Sequence, residues 1–203
     1  GGAAVAVDFS TPHSAVDNAR WYCARGIPFV MGTTGFDRAE VERLVAASPC
    51  CAVLAANLAA PLAALQAALE WAAGEFPGAL EGMRASITES HQATKRDTSG
   101  TAKAWMRELA RLGVAGAGEA SITPVRDPAR QRALGVPEEH LGGHALHEVS
   151  LESADGSVAT DWRTRVFGRR VYAEGALRAA EFLAARAGSD AGRVFSMADV
   201  LRG

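Results

Sequence analysis

The sequence predicts an α/β protein in which a parallel sheet covered by helices is followed by an α+β segment with a mixed or antiparallel sheet. Short, wholly apolar strands alternate with helices in the first sixty or so residues, as expected for strands buried on both faces. Strands with alternating apolar and polar residues follow. The 203 residues are 48% hydrophobic and 22% charged, which is ordinary for a globular chain.

Helix-starting and helix-ending residues delimit the elements of the first part. An apolar run at Ala3–Phe9 predicts a strand, Thr11-Pro12 then starts a helix, and Gly26 ends it. The next predicted elements are a strand at Ile27–Met31, a helix at Asp37–Ala47, a strand at Cys51–Ala56 and a helix at Ala60–Phe76. Together they predict strands that run parallel and are joined by helical crossovers.

Two strand ends of this sheet are candidate ligand contacts. The turn Gly32-Thr33-Thr34-Gly35 follows one strand, and Ala55-Ala56-Asn57 ends the next. Ligands of open parallel sheets bind at the carboxyl ends of the strands, so both loops are expected at one nucleotide-binding edge. A Gly-Thr-Thr-Gly sequence is also compatible with a tight turn that binds nothing.

The second part changes in character. Its alternating segments predict strands at Arg84–Glu89, Glu119–Val125, His144–Glu152 and Val158–Phe167. Asp155-Gly156 is a hairpin signal between the last two. An amphipathic helix is predicted at Thr101–Leu112, a final helix at about Glu174–Ala187, and a short turn at Met197–Leu201.

Charge and cysteine content exclude several classes of protein. The net charge of −2 argues against nucleic acid as a partner, and no apolar run approaches the length of a membrane span. Three cysteines, Cys23, Cys50 and Cys51, lack the number and spacing of a disulfide framework or a zinc site. We expect buried thiols in a reducing compartment.

The densest polar segment, Glu89–Ala102, lies between a predicted strand and a predicted helix. Ser99, Gly100 and Thr101 would form the helix N-terminus, which favours an anion. Lys95 adds an ammonium group, and His91 adds a side chain that can exchange a proton near neutral pH. The cluster suits a small carboxylate that gains or loses a proton. Ordinary helix capping with a solvated lysine is the alternative, and a Schiff-base lysine is a weaker one.

Three further histidines are candidate metal ligands: His140, His144 and His147. His144 and His147 are an odd number of residues apart in one predicted strand, so their side chains should point to opposite faces. No metal site is predicted.

The segments ESHQATK at Glu89–Lys95 and SGTA at Ser99–Ala102 resemble the signature of the 4-hydroxy-tetrahydrodipicolinate reductase family, which acts in diaminopimelate and lysine synthesis. Gln92 stands where most bacterial members have a second histidine, as in the plant-type branch. Other segments that resemble the family are Val7–Ser10, Pro28–Gly35, Arg126–Pro128, Gly135–His144, Gly168–Gly175 and Met197–Arg202.

The resemblance implies a Rossmann-type architecture in three parts. Residues 1–58 would be a partial dinucleotide-binding domain, 59–168 the substrate-binding and oligomerisation domain, and 169–203 a segment that returns to the first domain. It also implies NADPH or NADH as the cofactor, a small dicarboxylate substrate, and a homodimer or homotetramer. The compartment would be the chloroplast stroma in a plant or alga and the cytoplasm elsewhere.

The resemblance also implies roles for individual residues. His91 would donate the proton, and Lys95 would assist in acid–base chemistry and substrate binding. The substrate carboxylates would be held by Gln92, Ser99, Gly100 and Thr101. The nicotinamide cofactor would be contacted by Gly32, Thr33, Thr34, Ala56, Asn57, Leu58, Arg169 and Tyr172.

One departure from the family concerns the cofactor. The G-x-x-G-x-[GM] turn that the family has between its first strand and helix is absent at that place, as is the strand that selects NADH or NADPH. Such a turn cradles the pyrophosphate with backbone N–H groups. We therefore expect either a fragment of a longer reductase or a truncated homologue, and the alternative function is that of a non-catalytic assembly or scaffold factor.

Overall fold

The computed structural model describes residues 4–203 and divides into two compact units. The first unit comprises the residues up to Ala64 together with Arg170–Gly203, and the second is Leu65–Arg169. Among residues 4–203, no helix combines the length and apolarity needed to cross a membrane.

The first unit contains a parallel four-stranded sheet. Its elements are β1 (Ala6–Asp8), α1 (Pro12–Ala24), β2 (Phe29–Met31), α2 (Arg38–Ala46), β3 (Ala52–Leu54), the first residues of α3 (Ala60–Glu75), α6 (Arg170–Ala184), β8 (Val194–Phe195) and α7 (Met197–Arg202). The strand order is β1-β2-β3-β8, so the last part of the chain supplies an edge strand beside β3.

Helices bury both faces of this sheet, which explains why its strands are apolar throughout. Phe29 and Met31 face a core that includes buried residues of α1 and α2. Val30 and Val53 face the opposite core, to which α6 and α7 contribute. Residues Arg170–Gly203 therefore belong to the first unit.

The second unit is an α+β structure around a mixed sheet in the order β5-β4-β6-β7. Its elements are the rest of α3, β4 (Met83–His91), α4 (Gly100–Arg111), β5 (Ile122–Val125), α5 (Pro128–Ala133), β6 (His144–Ser153) and β7 (Ala159–Phe167). Strand β4 is parallel to β5 and antiparallel to β6, which pairs antiparallel with β7. Fully buried Trp105 and Leu109 of α4 pack in the same core as Ile87 of β4.

Several predicted elements need correction. The first strand covers only Ala6–Asp8 of the predicted Ala3–Phe9, and Ala3 lies outside the described residues. Residues Glu119–Ser121, predicted as strand, form a 3₁₀ turn before β5. The predicted Met197–Leu201 turn is helix α7, whose N-terminus is closed by a capping box between Ser196 and Asp199. Elements α5 and β8 were not predicted.

The three cysteines are buried free thiols, as predicted. The sulfurs of Cys23 and Cys50 lie 3.6 Å apart. Burial raises the pKa of Cys23 to about 11, so this thiol is protonated and unreactive near neutral pH.

Candidate functional site

The strand ends of the first unit are organised by a buried carboxylate that sequence reasoning did not select. Asp8, at the end of β1, is 3% exposed and accepts hydrogen bonds from Ser10 N–H (2.8 Å), Asn18 Nδ2 (2.9 Å) and the Tyr22 hydroxyl (3.1 Å). Burial alone would raise the pKa of Asp8, but these hydrogen bonds outweigh it and hold the pKa below its ordinary value. Asp8 is therefore an anion that fixes the loop after β1.

The Gly-Thr-Thr-Gly turn after β2 packs against this loop. Thr33 is buried, and its hydroxyl donates to the Ser10 carbonyl at 3.2 Å. A Cβ at Gly32 would lie 2.5 Å from Cε1 of Phe9 and 3.0 Å from Cδ1 of Leu58, so a larger residue there would displace the exposed Phe9 ring. Thr34 is exposed. The turn thus has a packed side and an open side.

The loop after β3 holds the other predicted cofactor contacts. Ala56 is exposed, the side chain of Asn57 accepts a hydrogen bond from Ala59 N–H (2.9 Å), and Leu58 is buried. Tyr172 of α6 is partly buried against the same core as Leu58. Because β1, β2 and β3 are parallel, their ends place these loops at one edge of the sheet.

Arg169 is an exposed residue at the end of the second unit, after β7. Its role stays a prediction, as do the roles of the other predicted site residues.

The polar cluster of the second unit begins on β4. Glu89 and His91 point to the same face because they are two residues apart, and Glu89 lies directly opposite His147 of β6 in the antiparallel register. Glu89 is fully buried, and one of its carboxylate oxygens lies 3.2 Å from Nε2 of His91. The rings of His91 and His147 meet edge to face at 5.5 Å.

His91 is neutral at neutral pH in this structure. Burial is the largest cause that lowers its pKa, to about 3, and the charges of His147, Lys95 and Arg126 lower it further. Glu89 does not offset this, since its carboxylate is paired with Arg126 at 2.6 Å. An additional negative charge nearby would favour the protonated form of His91.

The two histidines of β6, His144 and His147, each form a hydrogen bond with a serine hydroxyl. His147 is fully buried, its Nε2 lies 2.9 Å from the Ser99 hydroxyl, and burial lowers its pKa to about 4. His144 bonds instead to the Ser90 hydroxyl at 2.8 Å. Ser90 alternates with Glu89 and His91 along β4, so His144 and His147 lie on opposite faces, as predicted.

The loop from Gln92 to Ser99, which we call the lysine loop, joins β4 to α4. It opens with a turn in which Lys95 N–H donates to the Gln92 carbonyl at 2.9 Å. The Lys95 ammonium lies 2.8 Å from Asp97, whose side chain is 75% exposed. This carboxylate is the present partner of Lys95 and sits where an anionic ligand could replace it.

The lysine loop ends at the N-terminus of α4. Ser99 is the N-cap, with a buried hydroxyl between His147 and the Ala102 N–H. Gly100 is exposed, and a Cβ there would meet no atom within 4 Å, while Thr101 is partly buried. The helix dipole and first-turn N–H groups favour an anion at this end of α4.

Glu89, His91 and His147 also meet a distance criterion for metal binding, with ligand atoms within 4.8 Å of one another. One Glu89 oxygen accepts a hydrogen bond from Arg126, and Nε2 of His147 is hydrogen-bonded to the Ser99 hydroxyl. Two cationic side chains, Arg126 and Lys95, also act on the same site. This arrangement favours a hydrogen-bonded cluster and a bound anion over a divalent cation.

Comparisons with known proteins identify the family of this chain. The family model described as "Dihydrodipicolinate reductase, C-terminus" matches residues 62–201, and the one described as "Dihydrodipicolinate reductase, N-terminus" matches residues 2–58. The chain belongs to the dihydrodipicolinate reductase family.

Similar proteins of the family come from plants and bacteria. The chain is 44% identical to a probable 4-hydroxy-tetrahydrodipicolinate reductase 2, chloroplastic, of Oryza sativa subsp. japonica over 98% of the chain and 61% of the rice protein. It is 42% identical to the Arabidopsis thaliana 4-hydroxy-tetrahydrodipicolinate reductase 2, chloroplastic, over 98% of the chain and 57% of that protein. The chain thus spans about three-fifths of the length of these relatives.

A solved structure shows the same fold. It is a dipicolinate-bound dihydrodipicolinate reductase from Paenisporosarcina sp. TG-14, with a TM-score of 0.60 and 19% identity over 95% of this chain and 71% of that one.

Sequence reasoning missed four residues of this dihydrodipicolinate reductase family member: Asp8, Glu89, Arg126 and His147. Asp8 and Arg126 had been noted only as parts of family segments. Glu89 could have been found, because its spacing places it on the face of His91. His147 could not, since its approach depends on the register of β4 against β6, 58 positions apart in the chain.

Proposed function

We propose that this chain supplies the substrate domain and part of the nucleotide domain of a 4-hydroxy-tetrahydrodipicolinate reductase. The reaction would be reduction of that substrate with NADPH or NADH. The division into residues 1–58, 59–168 and 169–203 belongs to this proposal. The observation that carries it is the lysine loop, which connects His91 at the end of β4 to the N-terminus of α4 and contains Lys95.

The lysine loop has the chemistry needed to bind a dicarboxylate. Lys95 can exchange the exposed Asp97 for a substrate carboxylate. Gly100 and Thr101 at the start of α4, with the Gln92 amide, would bind the other carboxylate. The dipicolinate named for the similar bacterial structure is a ligand of this class. It therefore serves as the probe for this chain.

The strand-end edge of the first unit fits a nicotinamide ring. The loops after β2 and β3 carry the Thr34 hydroxyl and the Asn57 amide, and the Asp8 carboxylate at this edge is buried. Exposed Thr34 and Ala56 leave an open surface at the ends of β2 and β3. Gly35 keeps the turn in a left-handed conformation (φ 83°). The proposed contacts are Gly32, Thr33, Thr34, Ala56, Asn57, Leu58, Arg169 and Tyr172. When bound, the cofactor supplies the hydride.

Proton delivery is assigned to His91 at the end of β4, with Lys95 of the lysine loop. His91 is neutral before substrate binds, because its pKa is lowered by burial and by nearby cations. A dianionic substrate at Lys95 would add the negative charge that favours protonated His91. Lys95 would hold the substrate and neutralise the charge that develops on it.

Binding of dipicolinate, measured by calorimetry on the 203-residue chain, tests the substrate half of the proposal. Lys95→Ala should weaken binding by about tenfold or more, as expected for loss of a charged hydrogen bond. Lys103→Ala is the matched control, because Lys103 is an exposed lysine of α4 whose ion-pair partner is Glu119, in the 3₁₀ turn before β5. Equal affinity of the Lys95→Ala variant and the wild type would contradict the assignment.

The cofactor, compartment and assembly complete the proposal. Assays with NADPH and with NADH on a protein of the relatives' full length would identify the preferred cofactor. The word "chloroplastic" in the names of the rice and Arabidopsis relatives supports the stroma as the compartment in a plant or alga. Light scattering would distinguish the proposed homodimer from a homotetramer.

A further inference from the structure

Arg126 makes an unusual number of hydrogen bonds for one side chain. It follows β5, whose carboxyl end lies beside that of the parallel strand β4. Its guanidinium donates to the Lys95 carbonyl at 2.8 Å, to the Asp97 carbonyl at 3.2 Å, and to the Glu89 carboxylate at 2.6 Å. The first two acceptors belong to the lysine loop, and the third belongs to β4.

We propose that Arg126 is a positioning residue of the site, which ties the lysine loop to β4 through the buried carboxylate of Glu89 and so fixes Lys95 relative to His91. This inference rests on the proposed function, because it assigns Arg126 to the presentation of the two residues proposed for catalysis. Arg126 itself would not contact the reacting atoms.

The geometry of the guanidinium explains why arginine is needed. Its planar fork directs several N–H groups to separate acceptors at once, whereas a lysine ammonium is a compact charge on a flexible stem. The Lys95 and Asp97 carbonyls lie two residues apart, so the loop backbone is held on both sides of Arg96. The Lys95 side chain leaves the backbone from one of these fixed points.

Burial of Glu89 explains why the anchor is strong. Its side chain is 0% exposed and that of Arg126 is 21% exposed, so the pair lies where solvent screens it weakly. A buried carboxylate without a partner is costly, and Glu89 therefore holds Arg126 in place. The second Glu89 oxygen faces His91 at 3.2 Å, which connects the same pair to the proposed proton donor.

The positive charge of Arg126 also acts on the pKa of His91 and lowers it. The charged or titratable groups near His91 are Glu89 on β4, His144 and His147 on β6, Lys95 in the loop and Arg126 after β5. Removing the guanidinium would leave Glu89 as an unpaired anion beside the imidazole. Protonated His91 would then be favoured.

Two substitutions separate the geometry of Arg126 from its charge. Arg126→Lys keeps the charge and loses the fork, and Arg126→Gln loses both. Arg132→Lys is the matched control, because Arg132 makes a comparable two-bond contact with Glu138 on the exposed surface near α5. Circular dichroism confirms that each variant is folded before the other measurements are made.

Hydrogen exchange of the amides of residues 92–98 measures the anchoring directly and needs no ligand. Exchange should accelerate about tenfold in Arg126→Lys and stay within twofold of wild type in Arg132→Lys. Dipicolinate affinity should fall about tenfold in the first variant only. In Arg126→Gln, the NMR titration of the His91 imidazole should shift upward by about one pH unit, which a merely structural role would not produce.

The outcomes distinguish this inference from the proposed function. If the wild type does not bind dipicolinate, the proposed function fails, while loop exchange and the His91 titration still decide the role of Arg126. Wild-type exchange in Arg126→Lys together with an unmoved His91 titration in Arg126→Gln would overturn the inference.

Discussion

At the scale of single residues, the site depends on buried polar groups that are paired in specific ways. Glu89 is paired with Arg126, His147 with Ser99, and Asp8 with donors that include Ser10, Asn18 and Tyr22. Nε2 of His91 and the second carboxylate oxygen of Glu89 are different: both are buried and lie 3.2 Å apart, and neither has a hydrogen bond of good geometry. An uncompleted hydrogen bond at this point is consistent with a group that changes its protonation during the reaction.

The first prediction is that dipicolinate binding takes up a proton. The pKa of His91 is about 3 in the ligand-free protein, so the imidazole is neutral at pH 6.5, and an adjacent dianion should raise that pKa. Calorimetry at pH 6.5 in buffers of different ionisation enthalpy should show uptake of about 0.5 to 1 proton.

His91→Asn should abolish this uptake, whereas His13→Gln, at an exposed position of α1, should retain it. Binding without proton uptake in the wild type would exclude His91 as the group charged by the substrate. Lys95 would then be the better candidate for proton donor.

The same scale shows what could be predicted about the site. His91, Lys95 and Ser99 were found because they are close in sequence and Ser99 lies at a helix start. Ser99 nevertheless uses its hydroxyl to cap α4 and to bond His147, so a direct role for it toward a carboxylate stays a prediction. Arg126 was not selected, since the groups of the lysine loop and β4 that it contacts are at least 29 positions away in the chain.

At the scale of elements, helix ends were predictable where a side chain caps them. Asp37 caps α2 and Ser99 caps α4, and both helices begin within a residue of the predicted start. Elements without a long periodic pattern were missed. Helix α5 has six residues and β8 has two, too few for a periodicity to appear, and β8 is defined by its pairing with β3.

Helix α6 determines the position of the loop that carries the proposed cofactor contacts. A Cβ at Gly175 would overlap the backbone carbonyl of Leu58. We predict that Gly175→Ala destabilises the protein by about 2–3 kcal/mol and displaces the Asn57-Leu58 backbone, because a carbonyl cannot yield as a side chain can.

Gly74→Ala in α3 is the control, since a Cβ there meets no atom within 4 Å. It should stabilise by about 0.5–1 kcal/mol through helix propensity. Urea denaturation measures both effects, and amide chemical shifts of residues 56–59 report the displacement. A Gly175→Ala variant as stable as the wild type would show that α6 does not contact the loop in this way.

At the scale of the whole molecule, the two units differ in their titratable groups. The histidines with lowered pKa values, His91, His144 and His147, all lie in the second unit. Among the described residues of the first unit, the histidine is His13, which is exposed. Asp8 and Asp199 of that unit have lowered pKa values, and carboxylates of this kind lose stability only as the pH falls below about 4. Mild acid should therefore act on the second unit.

The last prediction is that the second unit loses stability between pH 7 and pH 5. Burial holds the pKa of His91 at about 3 and that of His147 at about 4, below the ordinary value of 6.5. The unfolded chain binds protons as the pH falls through 6.5 while the native state does not, so each histidine lowers the free energy of unfolding by about 2 kcal/mol at pH 5.

Urea titrations followed by hydrogen-exchange mass spectrometry should show this loss in peptides of β4 and β6. His147→Phe should reduce the pH dependence by about half whatever its effect on stability at pH 7, and His13→Gln should leave it unchanged. Peptides of β4 and β6 that are equally stable at pH 7 and pH 5 would mean that these imidazoles bind protons as readily in the folded protein as in the unfolded chain. The neutral His91 on which the proposed proton uptake depends would then be wrong.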